Sequence, residues 1–315
     1  MYRHLLVTVD GTPGGIDAIG HALELARAVG ARVTFMLPDA APDSRLSGAR
    51  LPEHGAKVEA AARAQGLSHA IAGAGHPGSG HPGAGDATPG TLAAELGCDL
   101  ISVAALPHDA DAAACAQRQH LLATSGVPVL VCTSRRSPAE ARVMARCLDA
   151  HRAVEGWLHA LMAFGANVEA DTRQQQAADT QDALASLAAL QRARVGTAAE
   201  ARLFAALRVR AECVAAELDE LDRQRQRDAQ ALDALMRIAA DGLPSAAFDT
   251  ALARYAHGAF EQMGRMEGVI FPAARRYLGD ADWAGLDESL ADGAAATSPR
   301  ANEPNEPDDA RRASD

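Results

Sequence analysis

Over the first 136 residues, short β-branched and apolar runs alternate with stretches whose apolar positions recur every three or four residues. This is the pattern of strands alternating with helices, and it predicts a parallel sheet wrapped by helices. Strands are expected at Leu5 to Val9, Arg32 to Leu37, Ser68 to Ala72, Asp99 to Ala104 and Val127 to Cys132. After the third strand comes Gly75-His76-Pro77-Gly78-Ser79-Gly80-His81-Pro82-Gly83, whose proline and glycine density extends neither element and marks a surface loop. Its two histidines are too few donors to make a metal site.

At Ser137-Pro138-Ala139-Glu140 the pattern changes. A hydroxyl N-cap, a proline at the first helical position and a glutamate three residues after the cap start a helix. Beyond this point β signal is almost absent. Helices are predicted at Pro138 to Phe164, Thr180 to Arg210, Glu212 to Ala239 and Ala246 to Tyr277, with a short one from Asp280 to Leu290. Four long helices with short connections suggest an antiparallel bundle. The tail from Ala294, rich in Pro, Asn, Asp and Arg, is expected to be disordered.

A length of 315 residues favours two domains, here 1–136 and 138–292, with 293–315 as the tail. Aromatic residues are only 3% of the chain, so alanine and leucine must build the cores, with little bulk for a large ligand cavity. A net charge of −11 lacks the basic stripe that nucleic acid requires. The five cysteines, at 98, 115, 132, 147 and 213, have no metal-type spacing or pairing and read as reduced, buried thiols. With no secretory leader pattern and no apolar run of membrane-spanning length, a soluble cytoplasmic protein is expected.

The opening Tyr2-Arg3-His4-Leu5-Leu6-Val7-Thr8-Val9-Asp10-Gly11-Thr12, the helix with His21-Ala22-Leu23-Glu24-Leu25-Ala26, and the strand Gly30-Ala31-Arg32-Val33-Thr34-Phe35 resemble the universal stress protein family. The resemblance covers nearly all of residues 1 to 133 and implies a five-stranded parallel doubly wound sheet. It also implies that Asp10 and Thr12 stand at the family's adenosine-contacting positions. Read from the residues alone, the same pair is a strand-end turn and a helix cap.

ATP-binding members carry a late glycine-rich signature ending in a hydroxyl. Aligned on Asp99-Leu100-Ile101 and Pro128-Val129-Leu130-Val131, this chain is about two residues shorter there and places Pro107, Ala110 and Cys115-Ala116 at the signature positions. Pro107 has no amide proton, Ala110 has a Cβ and Ala116 has no hydroxyl, while Asp109 and Asp111 add negative charge beside the phosphate position.

The second half resembles the hemerythrin-like, or HHE cation-binding, family. The resemblance rests on Asp149-Ala150-His151-Arg152, Leu158-His159-Ala160-Leu161, Leu218-Asp219-Glu220-Leu221-Asp222-Arg223 and the stretch from Phe271-Pro272 to Trp283. It implies an up-down four-helix bundle with a di-iron centre of histidines and carboxylates. Carried onto this chain, His151 takes the first-helix position. The second-helix pair falls on Val195 and Ala199, or in the adjacent register on Gly196 and Glu200; the third falls on Arg225 and the fourth on Gln262 and Glu267. His151, Glu200 and Glu267 are therefore the remnant metal positions, and His159 and His257 match none. Two irons need more donors than these, and Arg225 puts a fixed positive charge where a dication would sit, so no metal is expected.

No Gly-x-Ser-x-Gly, His-Glu-x-x-His or Walker pattern is present, and Lys57 is the only lysine. The sequence thus points to a non-enzymatic stress-response protein acting through protein interaction, without cofactor, nucleic acid or membrane partner. It is expected to be a homodimer through the edge strand Val127 to Cys132. The alternatives are a sensor of metal, oxygen or redox state that retains a partial hemerythrin-type site or acts through cysteine oxidation, and an adenine-nucleotide-binding protein using Asp10.

Overall fold

The computed structural model describes residues 2–10, 12–37, 53–72, 88–133, 136–164, 173–196, 199–243 and 245–297. The strands are β1 (His4–Thr8), β2 (Arg32–Met36), β3 (His69–Ala72), β4 (Leu100–Ala104) and β5 (Val129–Cys132). They form one parallel sheet in the order β3-β2-β1-β4-β5. Between them lie α1 (Pro13–Val29), α2 (Glu53–Ala64), α3 (Pro89–Leu96) and α4 (Ala112–Thr124).

Side-chain alternation along β1 assigns the two faces of the sheet. Leu5, Val7 and Val9 pack with Leu23 of α1 and Val58 and Ala61 of α2, whereas Leu6 packs with Leu92 of α3, Leu121 of α4 and Ile101 and Val103 of β4. Each expected strand is found within two residues of its predicted ends. The Gly75 to Gly83 loop lies outside the described residues.

The second half is helical: α5 (Pro138–Phe164), α6 (Arg173–Gly196), α7 (Ala199–Arg210), α8 (Ala215–Asp241), α9 (Ala246–Arg265), α10 (Phe271–Tyr277) and α11 (Asp280–Thr297). The predicted N-cap of α5 forms, with the Glu140 amide donating to Ser137 Oγ at 3.2 Å. α5 packs against α6 and α9, and α8 against the same two helices.

Three expectations are corrected. The helix predicted from Thr180 to Arg210 is two helices, α6 ending at Gly196, a poor helix residue, and α7 beginning at Ala199. The helix predicted from Glu212 is a 3₁₀ turn, Glu212–Val214, before α8 begins at Ala215. The last helix runs on to Thr297 rather than ending at Leu290, because the alanine-rich stretch after Leu290 carries strong helix formers. Residues 298–315 of the expected tail lie outside the described residues.

α9 and α10 are joined by a π-helical turn, Met266–Ile270, and this stretch presses the helical half onto the α/β half. α9 lies along α2 so closely that a Cβ on Gly264 would sit 2.1 Å from the carbonyl oxygen of Lys57. A Cβ on Gly268 would sit 2.4 Å from Ala61 Cβ, and one on Gly20 of α1 would sit 2.8 Å from Pro272 Cγ. Glycine is required at these points because backbone meets the neighbouring helix directly, leaving no room for even a methyl group.

Candidate functional site

At the carboxyl end of β1, Asp10 and Thr12 form a compact turn. Asp10 Oδ1 accepts from the Thr12 amide at 2.9 Å and from its hydroxyl at 2.8 Å, while Thr12 Oγ1 accepts from the Gly15 amide at 3.0 Å. Thr12 is the N-cap of α1, and a Cβ on Gly15 would lie 1.9 Å from Asp10 Oδ1, so a larger residue there would displace the Asp10 carboxylate from this turn. Both candidate adenosine residues therefore bond each other and the helix start. After β4, the Ala110 amide donates to Pro107 O at 3.1 Å, and Asp111 caps α4 by accepting from the Ala114 amide at 2.7 Å. A phosphate at that helix start would meet a carboxylate already bound to one of its amides.

The chemistry-bearing cluster lies deeper, at the centre of the helical half. His151 of α5, Glu200 in the first turn of α7 and Glu267 in the π turn, the three remnant positions, are brought together. Glu267 Oε1 is 2.7 Å from His151 Nδ1, and Glu200 Oε1 is 3.1 Å from His151 Nε2. The imidazole is 1% exposed and stacks on Phe271 at 5.9 Å between ring centroids. Carboxylates only accept, so both ring nitrogens donate and the ring is an imidazolium. Burial works against that charge, but the hydrogen bonds His151 donates to Glu200 and Glu267, with the charges of both, outweigh it and raise the His151 pKa above the ordinary histidine value.

Each carboxylate of this pair has a second cation. Arg225 of α8, lying over the Phe204 ring at 4.1 Å, donates from Nη2 to Glu200 Oε2 at 2.6 Å. Lys57 of α2 in the α/β half reaches Glu267 Oε1 at 3.3 Å and also ion-pairs with Glu155 and, at 3.2 Å, with Glu53. Burial would discharge the ammonium, but Glu267, Glu155 and Glu53 push its pKa well above the usual lysine range. Burial also favours neutral Glu267, yet Lys57 and His151 hold it below the usual glutamate value. Glu155 goes the other way, raised by burial and by Glu53 and Glu267 beside it, with Lys57 only partly offsetting them. Glu53 is held at about 2 against its burial by the hydrogen bond from His159 and the charge of Lys57. A cavity of about 50 Å³ adjoins this junction, lined by Glu53, Lys57, His151, Glu155 and Glu267 among others.

A di-iron group does not fit these residues. The guanidinium 2.6 Å from Glu200 and the ammonium 3.3 Å from Glu267 already neutralise the carboxylates that would hold it. No cluster of three or more His, Cys, Asp or Glu side chains among the described residues is arranged to hold a metal ion.

One feature escaped sequence reasoning. Lys57, notable in the sequence only as the sole lysine, is the hub of the junction; its position in a helix of the other half gave no signal of that. His159, which matches no ligand position and is expected as a satisfied interface or surface residue, bridges α5 to Glu53 of α2 at 3.1 Å. The cysteine expectation needs correction: Cys98, Cys132 and Cys147 are buried, but Cys115 and Cys213 are exposed. No helix among the described residues is long and apolar enough to cross a membrane.

The arrangement of the first 132 residues, a five-stranded parallel sheet with a capped strand-to-helix turn at Asp10, defines an α/β domain of the doubly wound class. Residues 1–110 match the model of the universal stress protein family. The chain is also similar to the crystal structure of a protein from the universal stress protein family from Burkholderia pseudomallei. That match is 21% identical, covers 42% of this chain and 97% of the other, and has a TM-score of 0.29. No curated protein matches the chain.

Proposed function

We propose that the chain is a non-enzymatic, cytosolic stress-response protein that acts by binding other proteins, its α/β half not serving as an ATP site and its helical half not serving as a metal centre. The helical half is read as a hemerythrin-type up-down four-helix bundle, supported by the ring of contacts among α5, α6, α8 and α9. The observation that carries the proposal is the charge chain at the centre of that bundle. The three residues best placed to ligate a metal are bonded to one another, to Arg225 and to Lys57. For the α/β half, support comes from the Asp10–Thr12 cap and from Asp111 on the first turn of α4.

Native mass spectrometry of protein made in iron-replete cells tests the reading in one measurement. The expected species carries no iron and no nucleotide and has the mass of two chains. Stoichiometric iron would return the helical half to metal chemistry, and stoichiometric nucleotide would favour ATP binding at Asp10.

A further inference from the structure

Between the two halves lies a cleft of about 340 Å³ whose walls are helices from either side of the junction. α1 contributes Asp17, His21 and Glu24, which recur on one face of the helix, and α10 contributes Arg275 and Arg276. The walls meet where Gly20 of α1 packs on Pro272, and Glu140 of α5 and Glu267 of the π turn also line the cleft. Its volume and its place between two packed halves are those of a small-molecule site.

The charges that line it divide into a matched set and an unmatched one. Asp17 accepts from Arg275 at 2.9 Å and from Arg136, and Glu267 is held by His151 and Lys57. Glu24 and Arg276, on opposite walls, make no ion pair among the described residues; Arg276 has only the Tyr277 ring, 5.9 Å away. His21 donates from Nδ1 to the Asp17 carbonyl at 2.9 Å, which leaves Nε2 as a free acceptor. Glu140 is 8% exposed and has Arg275 Nε at 3.2 Å, yet its Oε1 accepts no hydrogen bond. The half-buried Glu24 and the exposed Arg276 thus stand at the mouth without partners, and the buried Glu140 stands deeper, short of a donor.

We propose that this cleft binds a basic amino acid. The carboxylate of the ligand pairs with Arg276 of α10, its α-ammonium with Glu24 of α1, and its side-chain cation with the carboxylate of Glu140. The match is one of charge and order: an anion and a cation side by side at the mouth, and a second cation toward the buried end. Other small ions fit less well. A simple anion meets four lining carboxylates against two guanidiniums, and a diamine leaves Arg276 without its acceptor. Because α1 belongs to the α/β half and α10 to the helical half, the bound amino acid bridges the two and stabilises their junction.

The test is isothermal titration calorimetry of the full chain with L-lysine and L-arginine, alongside thermal melts. Three relatives serve as controls: cadaverine and agmatine lack the carboxylate, and L-norleucine lacks the side-chain cation. Lysine or arginine should bind once per chain and raise the melting temperature, and each control should bind about tenfold more weakly or worse, the worth of one charge-assisted hydrogen bond. Arg276→Gln should weaken the amino acid about tenfold and leave the matching diamine or agmatine unchanged, whereas Glu24→Gln should weaken both. Neither residue has an ion pair to lose, so both variants should keep the fold, which circular dichroism verifies. No saturable binding of lysine or arginine at millimolar concentration overturns the proposal. Norleucine binding as tightly as lysine overturns it as well, since the deeper carboxylate would then take no part, and so does wild-type affinity in both variants, which would put the ligand elsewhere.

Discussion

Replacing Gly264 with alanine tests the close approach of the two halves. In an open helical position, Gly→Ala stabilises by about 1 kcal/mol, because it restricts the unfolded chain and suits the helix. Gly264 is not open: the new methyl group would lie 2.1 Å from Lys57 O, 2.4 Å from its Cα and 2.6 Å from its carbonyl carbon. All three are backbone atoms of α2 and cannot swing aside as a side chain can. Relief requires α9 and α2 to part by on the order of 1 Å, a forced expansion of a type that costs about 1–3 kcal/mol where side chains can adjust and more where they cannot. The same movement draws Lys57 from Glu267, weakening a buried ion pair.

We therefore expect a net loss of about 3 kcal/mol for Gly264→Ala and a melting temperature lower by about 5 °C or more. Gly156 of α5 is the internal control, since nothing lies within 4 Å of its added Cβ. Gly156→Ala should stabilise by about 0.5–1 kcal/mol. Urea denaturation followed by circular dichroism reads both variants on one scale. A Gly264→Ala protein as stable as wild type would refute the reasoning, because it would mean that the two halves do not meet backbone to backbone.

Acid should loosen the junction: the depressed folded pKa of Glu53, about 2, contributes stability that is present above the unfolded glutamate pKa and lost as pH falls through about 4 toward 2. A pH series of melts should show that loss, and His159→Ala, which removes the hydrogen bond holding Glu53 ionised, should flatten it; an unaltered acid limb would count against this account. ATP should not bind at low micromolar concentration, which equilibrium dialysis with labelled nucleotide checks; stoichiometric retention would contradict the capped-turn reading of Asp10 and Thr12. β5 is an edge strand whose Val131 is 37% exposed, and pairing of two such edges is the proposed dimer contact. Val131→Lys should shift the sedimentation mass toward one chain, and an unchanged dimer would move the contact elsewhere.

The sequence by itself determined the five strands and the helical character of the second half. The β-branched runs and 3.6-residue periodicity are local properties, so they located all five strands to within two residues and started α5 at Pro138. The hemerythrin-like resemblance implied His151, Glu267 and, in one of its two registers, Glu200 as remnant positions of one centre, and these three side chains meet although Glu200 and Glu267 stand 49 and 116 residues from His151. What surrounds that centre was decided only by tertiary structure. Lys57 lies on a helix of the other half, and no local pattern records that α2 will lie against α9 or that Gly264 allows it. The partners of a buried charge are set by which helices pack against which, and that depends on contacts between residues far apart in the chain. The sequence therefore marked the donors, while the fold supplied the cations that occupy them.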